Sequence, residues 1–346
     1  MVLMRNINKN LVPGKVEWGL LENALNGATD SDPLVVSGPA KGMDGAVIDM
    51  GDWFLVTTTD PITLAQGDAA RYVVNVNAND IAVFGARPRW FQAVLLLPER
   101  RTTRACAGEI LLEIRKELAE FGAVLVGGHT EVTAGLDRPI IVGQMMGQVR
   151  KEALVRPDGA RAGDALLLAG GTAIEATALV AKELRGRLLD AGMSKEELDE
   201  AAAYLEDPGI SVVAPALAAA ATGEVTAMHD ITEGGVATAV EELGAGCGKG
   251  VVLDASSLPF TALTKKVLEL ARMDPLGSIG SGGLLVTCSE KSVSLVSRAV
   301  ELTGRVCKRV GKITSNTGER TLLIDGRKHP WPEFLIDEWA RVSATL

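Results

Sequence analysis

The chain has 346 residues, of which 47% are hydrophobic, 4% aromatic and 23% charged, with a formal net charge of −9. That length is long for one core and implies two domains, whose cores must be built from Ala, Val, Leu and Ile. The acidic balance leaves no footprint for DNA or RNA, although an acidic protein can still hold a polyanion through a metal and helix N-termini.

Met1 to Lys15 has no apolar run of the secretory kind, and a short helix is expected over Glu17 to Leu25, ending near Gly27. Pro33 to Met50 reads as loop and strand around GPAKGMDGAVIDM. Asp44, just before the strand AVID, is either the first residue of an Asp-Gly turn or a metal ligand. WFLVTTT is a strand ending on Asp60, and Pro61 is expected to stop it by removing a ladder hydrogen bond.

Gly67-Asp68 then makes a turn with an N-cap signal, and a helix follows from Ala69 to Phe84. It is apolar nearly all round, which predicts burial, yet it carries Asn75, Asn77, Asn79 and Asp80. Buried amides and a buried carboxylate need partners. Either they cap neighbouring turns or face a subunit contact, or Asp60 and Asp80 meet at one place and hold a hard cation.

WFQAVLLLP is the next strand, and Thr102 or Thr103 caps a long helix over Arg104 to Phe121 that Gly122 stops. AVLVGGHTEVT reads as a buried strand, a Gly127-Gly128 break, then His129, Thr130 and Glu131 at its exit. PIIVGQMMGQV is a further strand, so this half alternates strands and helices as a two-layer α/β domain does. The composition of Lys151 to Gly163 marks a domain junction.

The second half repeats the alternation. DALLLAGG is a strand, TAIEATALVAKEL a helix, residues 190–206 polar and helical, SVVAPALAAAAT a helix and EVTAMHD a strand. Asp230 sits at that strand's end, Thr232 can cap the next helix, and Gly234-Gly235 let a ligand approach its dipole or serve ordinary capping. VVLDASSLP, a short helix over Thr264 to Arg272, GSIGSGGLLVTC, a helix over Val293 to Leu302, strands RVGKI and RTLLID and a helix-like tail follow.

The four cysteines are scattered, with no CxxC pair, which argues against a zinc site or a disulfide framework and fits a reducing cytoplasm. No run reaches the ~18 apolar residues of a membrane span.

The order TTTD, GDAARYVVNVNANDIAVFGARP, VGGHTE, MHDITEGGVATAVEEL and SGGLLV resembles the PurM-like ATP-binding superfamily over roughly residues 35 to 315. That group includes aminoimidazole ribonucleotide synthetase, selenophosphate synthetase, thiamine-monophosphate kinase and the hydrogenase-maturation protein HypE, and the pattern is nearest to HypE and the AIR-synthase-related proteins around it. The resemblance implies two α/β domains: an N-terminal ATP- and Mg²⁺-binding domain over 1–155 and a C-terminal domain over 156–346. It also implies a homodimer whose N-terminal domains pair their sheets, with ATP and Mg²⁺ at that interface. By motif position Asp44, Asp60 and Asp80 would be metal ligands. Asp68, Asn79, Gly127, Gly128, Asp230, Thr232, Gly234 and Gly235 complete the expected nucleotide-binding set.

The chain departs from the pattern in four places. His129 stands where relatives carry an Asp, with Glu131 two residues on; Glu233 replaces an Arg; and the Gly-rich N-terminal segment of HypE has no clear counterpart. HypE carries its substrate thiol on a C-terminal Cys, whereas this chain ends Ala344-Thr345-Leu346 and its last Cys is Cys307. Strand alternation puts His129 and Glu131 on one face, expected to look into the cleft, with Glu131 taking over metal ligation and His129 contacting phosphate or carrying a proton, or else with both structural. The expected activity is phosphoryl transfer from Mg-ATP that activates an amide-type oxygen of an external small substrate. The alternative is a nucleotide-binding accessory protein that docks on a hydrogenase-maturation partner without turnover of its own.

Overall fold

The computed structural model describes residues 14–16, 18–63 and 68–344. The expectations for residues 1–13, for Glu17, for Gly67 and for Thr345-Leu346 lie outside the described residues. The first half holds α1 (Trp18–Leu25), β1 (Val35–Ser37), β2 (Ala46–Asp49), β3 (Trp53–Ile62), α2 (Ala69–Ala82), β4 (Arg87–Pro98), α3 (Arg104–Glu120), β5 (Val124–Thr133) and β6 (Ile140–Arg150). Its sheet runs β1-β2-β3-β6-β4-β5, with β4 and β5 parallel and the other neighbours antiparallel.

Two strands differ from their reading in the sequence. Pro61 does not stop β3: it pairs with Val142 of β6 and the strand continues to Ile62. The reason is that β2 covers β3 only over Phe54–Thr57, so beyond that point one side of β3 is an edge and a missing N–H there costs nothing. β5 is neither buried nor broken. It is the sheet's outer strand, exposed along most of its length, and runs through Gly127-Gly128 with a bulge opposite Phe91 and Gln92. Its valines suggested a core because strand order in the sheet does not follow chain order.

α2 lies across this sheet and is buried along nearly its whole length, as its composition predicts. Each of its polar side chains finds a partner. Asn75 Nδ2 donates to Arg71 O at 2.9 Å, and Asn77 Nδ2 donates to Val73 O at 2.8 Å while its Oδ1 accepts from Asp60 N at 3.1 Å. Asn79 turns to the other half of the chain: Oδ1 accepts from Val212 N at 2.8 Å and Nδ2 donates to Ile210 O at 3.0 Å.

The second half holds β7 (Ala165–Gly170), α4 (Ile174–Glu183), α5 (Arg185–Asp190), α6 (Lys195–Ala203), α7 (Val213–Ala220), β8 (Val225–Asp230), α8 (Gly235–Gly246), β9 (Gly250–Asp254), α9 (Ala262–Ala271), β10 (Gly283–Cys288), α10 (Val293–Glu301), β11 (Cys307–Thr314), β12 (Arg320–Ile324), β13 (Arg327–His329) and α11 (Glu338–Ser343). Its sheet runs β13-β12-β9-β11-β7-β10-β8. Both halves are therefore mixed sheets with helices, as expected. One apolar core joins them, from Val47, Val74, Ile81 and Met145 of the first half to Leu167, Val213, Met228, Val286 and Val296 of the second.

Candidate functional site

The site forms where the two halves meet. Asp60 is carried near the end of β3, Asp80 on the last turn of α2, Asp44 on the segment entering β2, and Asp230 at the end of β8. The structure brings these four carboxyl groups close enough that each of Asp60, Asp80 and Asp230 feels others of the set. Burial pushes the pKa of Asp80 well above the ordinary value, and the charges of Asp60, Asp230 and Asp44 add to it. Burial also raises Asp60, offset in part by a hydrogen bond from Asp80 and by the charge of Lys15. Asp230 is pushed up to about 7, by burial first and then by Asp44. Thr58 Oγ1 lies within donating distance of both Asp44 O, at 2.7 Å, and Asp80 Oδ2, at 2.8 Å.

Such a cluster is unfavourable without a cation, and the residues present fit one. Asp230 is 2% exposed, and its Oδ2 has no hydrogen-bond partner among the described residues. Ligand atoms of Asp44, His229 and Asp230 lie within 4.8 Å of one another. Carboxylate oxygens from separate segments suit Mg²⁺.

Three residues at this site were not picked out from the sequence. His229 precedes Asp230 in MHDITEGG, at the end of β8. Its Nδ1 lies 2.7 Å from Asp44 Oδ2 and its Nε2 3.2 Å from Glu242 Oε2 of α8. Burial alone would push the imidazole's pKa down, but Asp44 and Glu242 outweigh it and hold it well above its ordinary value. Glu242, two turns into α8, is pushed up by burial but more strongly held down by His229 and Lys15. Lys15 is exposed as a residue, yet its ammonium reaches across the cleft to 3.4 Å from Thr232 Oγ1. Burial of that ammonium works against its charge, and Glu242, Asp44, Asp60 and Glu233 together raise its pKa above the ordinary value. Nothing in the polar start of the sequence signals this lysine.

Other expected residues lie elsewhere. Asn79 is fully buried, and its amide oxygen and nitrogen are engaged by Val212 and Ile210. Asp68 holds the N-cap position of α2 without a side-chain cap bond and pairs with Lys182 at 2.6 Å. Gly234-Gly235 are filled from within: Asp337 Oδ2 accepts from Gly234 N at 2.8 Å, and a Cβ on Gly235 would lie 2.6 Å from Leu276 O. Both glycines have positive φ, so their conformation serves the close approach of the chain's own loop. Thr232 caps with its backbone, its carbonyl accepting from Gly235 N and Gly280 N, and leaves its hydroxyl to Lys15.

His129 and Glu131 do share a face of β5, with Nε2 3.1 Å from Oε2, but both are exposed. The structure does not bring them to the acid cluster within one chain. Asp60 pairs with Gly143, Gly143 with Ala93 and Ala93 with Gly128, so β5 lies three strand spacings from β3, about 14 Å at ~4.8 Å each. Gly128 is required where it stands, because a Cβ there would lie 1.9 Å from Ala93 O.

The chain matches known proteins along most of its length. Residues 42–149 match the family described as AIR synthase related protein, N-terminal domain, and residues 161–323 match AIR synthase related protein, C-terminal domain. The carbamoyl dehydratase HypE of Cupriavidus necator is 28% identical over 257 residues, 73% of this chain and 70% of that protein. The crystal structure of E. coli HypE superposes with a TM-score of 0.70 at 22% identity, covering 94% of this chain and 99% of the other. A crystal structure of HypE in complex with ATP superposes with a TM-score of 0.64 at 18% identity, covering 93% and 97%.

Proposed function

Since the chain belongs to the AIR synthase-related family, we propose that it is an ATP-dependent enzyme which seats Mg-ATP against the acid cluster and transfers a phosphoryl group to an oxygen of an external small substrate. The observation that carries this reading is the buried oxygen of Asp230, without a hydrogen-bond partner among the described residues, beside three further carboxyl groups from separate segments. Asp44, Asp60, Asp80 and Asp230 would hold the metal. Bound Mg²⁺ supplies charge neutralisation and a fixed position for the phosphate oxygens. Lys15 stands over the same cleft with its charge reinforced and is placed to meet phosphate oxygens, while Thr232 offers it a hydroxyl to rest on. The chain's part in catalysis is then positioning and electrostatics.

The acceptor is external in this reading. Cys307 is 6% exposed within β11, and α11 is anchored by Trp339 and Val342 in the core of the second half, so neither forms a swinging arm. Phosphoryl transfer to an amide-type oxygen suits this arrangement, since it makes that oxygen a leaving group.

The reading includes a homodimer. β5 offers an unpaired edge with Val124, Val126 and Val132 about half exposed, which a second copy of the sheet would cover. His129 and Glu131 sit on that edge, so the dimer would carry them to the partner's cleft.

Calorimetric titration with Mg-ATP tests the site. Asp60→Asn and Asp80→Asn each lose at least tenfold in affinity, since each removes a charge facing the metal. Wild-type affinity in both would remove the assignment. Binding without any turnover against a metabolite panel would favour an accessory, nucleotide-binding role instead.

A further inference from the structure

Asp44 has an unusual dependence among the four acids. It lies on Lys41–Gly45, a segment that enters no regular element until β2 begins at Ala46. The first half holds its backbone, through Thr58 Oγ1 at 2.7 Å from Asp44 O. Its carboxylate is held by the second half, through His229 Nδ1 at 2.7 Å. The segment itself lies flush on α8. A Cβ on Gly42 would be 2.6 Å from Glu242 O, one on Gly246 would be 3.2 Å from Lys41 O, and Lys41 Nζ pairs with Glu241 at 3.5 Å.

We infer that His229 is a positioning residue: clamped by Glu242, it latches Asp44 across the two halves and sets that carboxylate in the cation cluster, without itself ligating the cation. This rests on the reading of the acid cluster as a metal site. The juxtaposition of Asp44, His229 and Asp230 invites the other role, with the imidazole as a third ligand. The geometry speaks against it. A carboxylate oxygen stands at each ring nitrogen, at 2.7 and 3.2 Å, so each nitrogen is already turned to a partner within the protein. The ring is 4% exposed and enclosed by these partners, so it cannot turn a nitrogen to the cleft without breaking one of them. A ring held this way orients the ligand it touches, and removing such an outer partner costs about 10–100-fold in metal affinity.

The test uses the full chain, Mn²⁺ followed by the free-ion EPR signal, and Co²⁺ followed by its visible absorption. His229→Gln is expected to weaken Mn²⁺ binding about 10–100-fold, and Glu242→Gln to weaken it in the same direction by less. Because both act through Asp44, neither adds to the loss already present in Asp44→Asn. At saturating Co²⁺ the absorption bands of His229→Gln match those of wild type, since the ligand set is unchanged. A band shift on losing His229 would make it a ligand and overturn the latch. So would unchanged Mn²⁺ affinity in both single variants, or full additivity with Asp44→Asn. If His229→Gln does not fold, Glu242→Gln and its cycle with Asp44→Asn decide alone. Wild-type protein that binds neither Mn²⁺ nor Mg-ATP would remove the metal site and the latch with it, whereas wild-type binding with unaffected variants removes only the latch.

Discussion

Asp230 gives the sharpest separation between a site built for a cation and an accident of packing. Its carboxyl is pushed up to about 7, by burial and then by Asp44, against an ordinary value of 3.8. Below about pH 4 both the folded and the unfolded chain hold the proton, and Asp230 contributes no penalty. Between pH 4 and 7 the folded chain keeps a proton that the unfolded chain releases, so the stability this group contributes is lost as pH rises through its folded pKa. At ~1.4 kcal/mol per unit, a rise of about three units amounts to on the order of 4 kcal/mol at pH 8. Asp230→Asn keeps the shape and removes the titration. In chelator, the variant is therefore expected to be more stable than wild type at pH 8 by up to about 4 kcal/mol, with the gap closing towards pH 4. Urea unfolding with linear extrapolation at several pH values measures this. Mg-ATP should restore stability to the wild type and much less to the variant, because the group that strains the empty cluster is the one that holds the metal. Equal destabilisation of Asp230→Asn at pH 5 and pH 8 would refute the reasoning, since a carboxylate satisfied in the fold behaves that way.

Three further outcomes are expected. Asn79→Ala leaves Val212 N–H and Ile210 C=O buried without partners, and at ~1–3 kcal/mol each the loss in urea unfolding should be on the order of 2–5 kcal/mol. Gly128→Ala puts a Cβ 1.9 Å from Ala93 O and should lower the melting temperature severely or abolish folding, whereas Gly127→Ala, 3.8 Å from Gln92 Nε2, should be close to neutral. Burial raises the thiols of Cys288, to about 11, of Cys307 and of Cys247, whose Sγ also donates to Pro157 O, so in native protein a maleimide should label half-buried Cys106 well before the other three, as read by mass spectrometry.

The elements with strong local signals were legible in the sequence. α2 shows itself by an apolar run that leaves no polar face, and α3 by its Thr103 cap and helical spacing, with Thr103 Oγ1 accepting from Cys106 N as that reading requires. What pairs with what was not legible. β5 carries the composition of a core strand, and only sheet order, which the chain order does not give, makes it an edge. Pro61 looked like a strand end because the reading could not know that β2 stops short of it. At the site, Asp60 and Asp80 suggested each other through the problem of a buried carboxylate, but Asp44 resembled a turn until a family pattern was laid over it. His229 and Glu242 left no signal, since a contact 185 residues away in sequence is a product of how the halves dock. The glycines at 234–235 left ligand approach and ordinary capping both open, and the structure sets Asp337 and the loop at Leu276 against them. A glycine-rich helix start specifies close approach without saying of what.

The core shared by both halves has a mechanical consequence. Two lobes joined by a linker can swing, and many nucleotide enzymes close that way. Here Val74 and Ile81 of α2 belong to the same packed body as Val213 and Met228, and Asn79 is bolted to the backbone at Ile210 and Val212. Rotation of one half against the other would tear that packing apart, so a hinge is not available at this seam. The four acids are thus held as if cast in one block. Motion during a reaction cycle falls instead to side chains outside that packed body, such as Lys15, whose ammonium can leave Thr232 Oγ1 without opening the shared core.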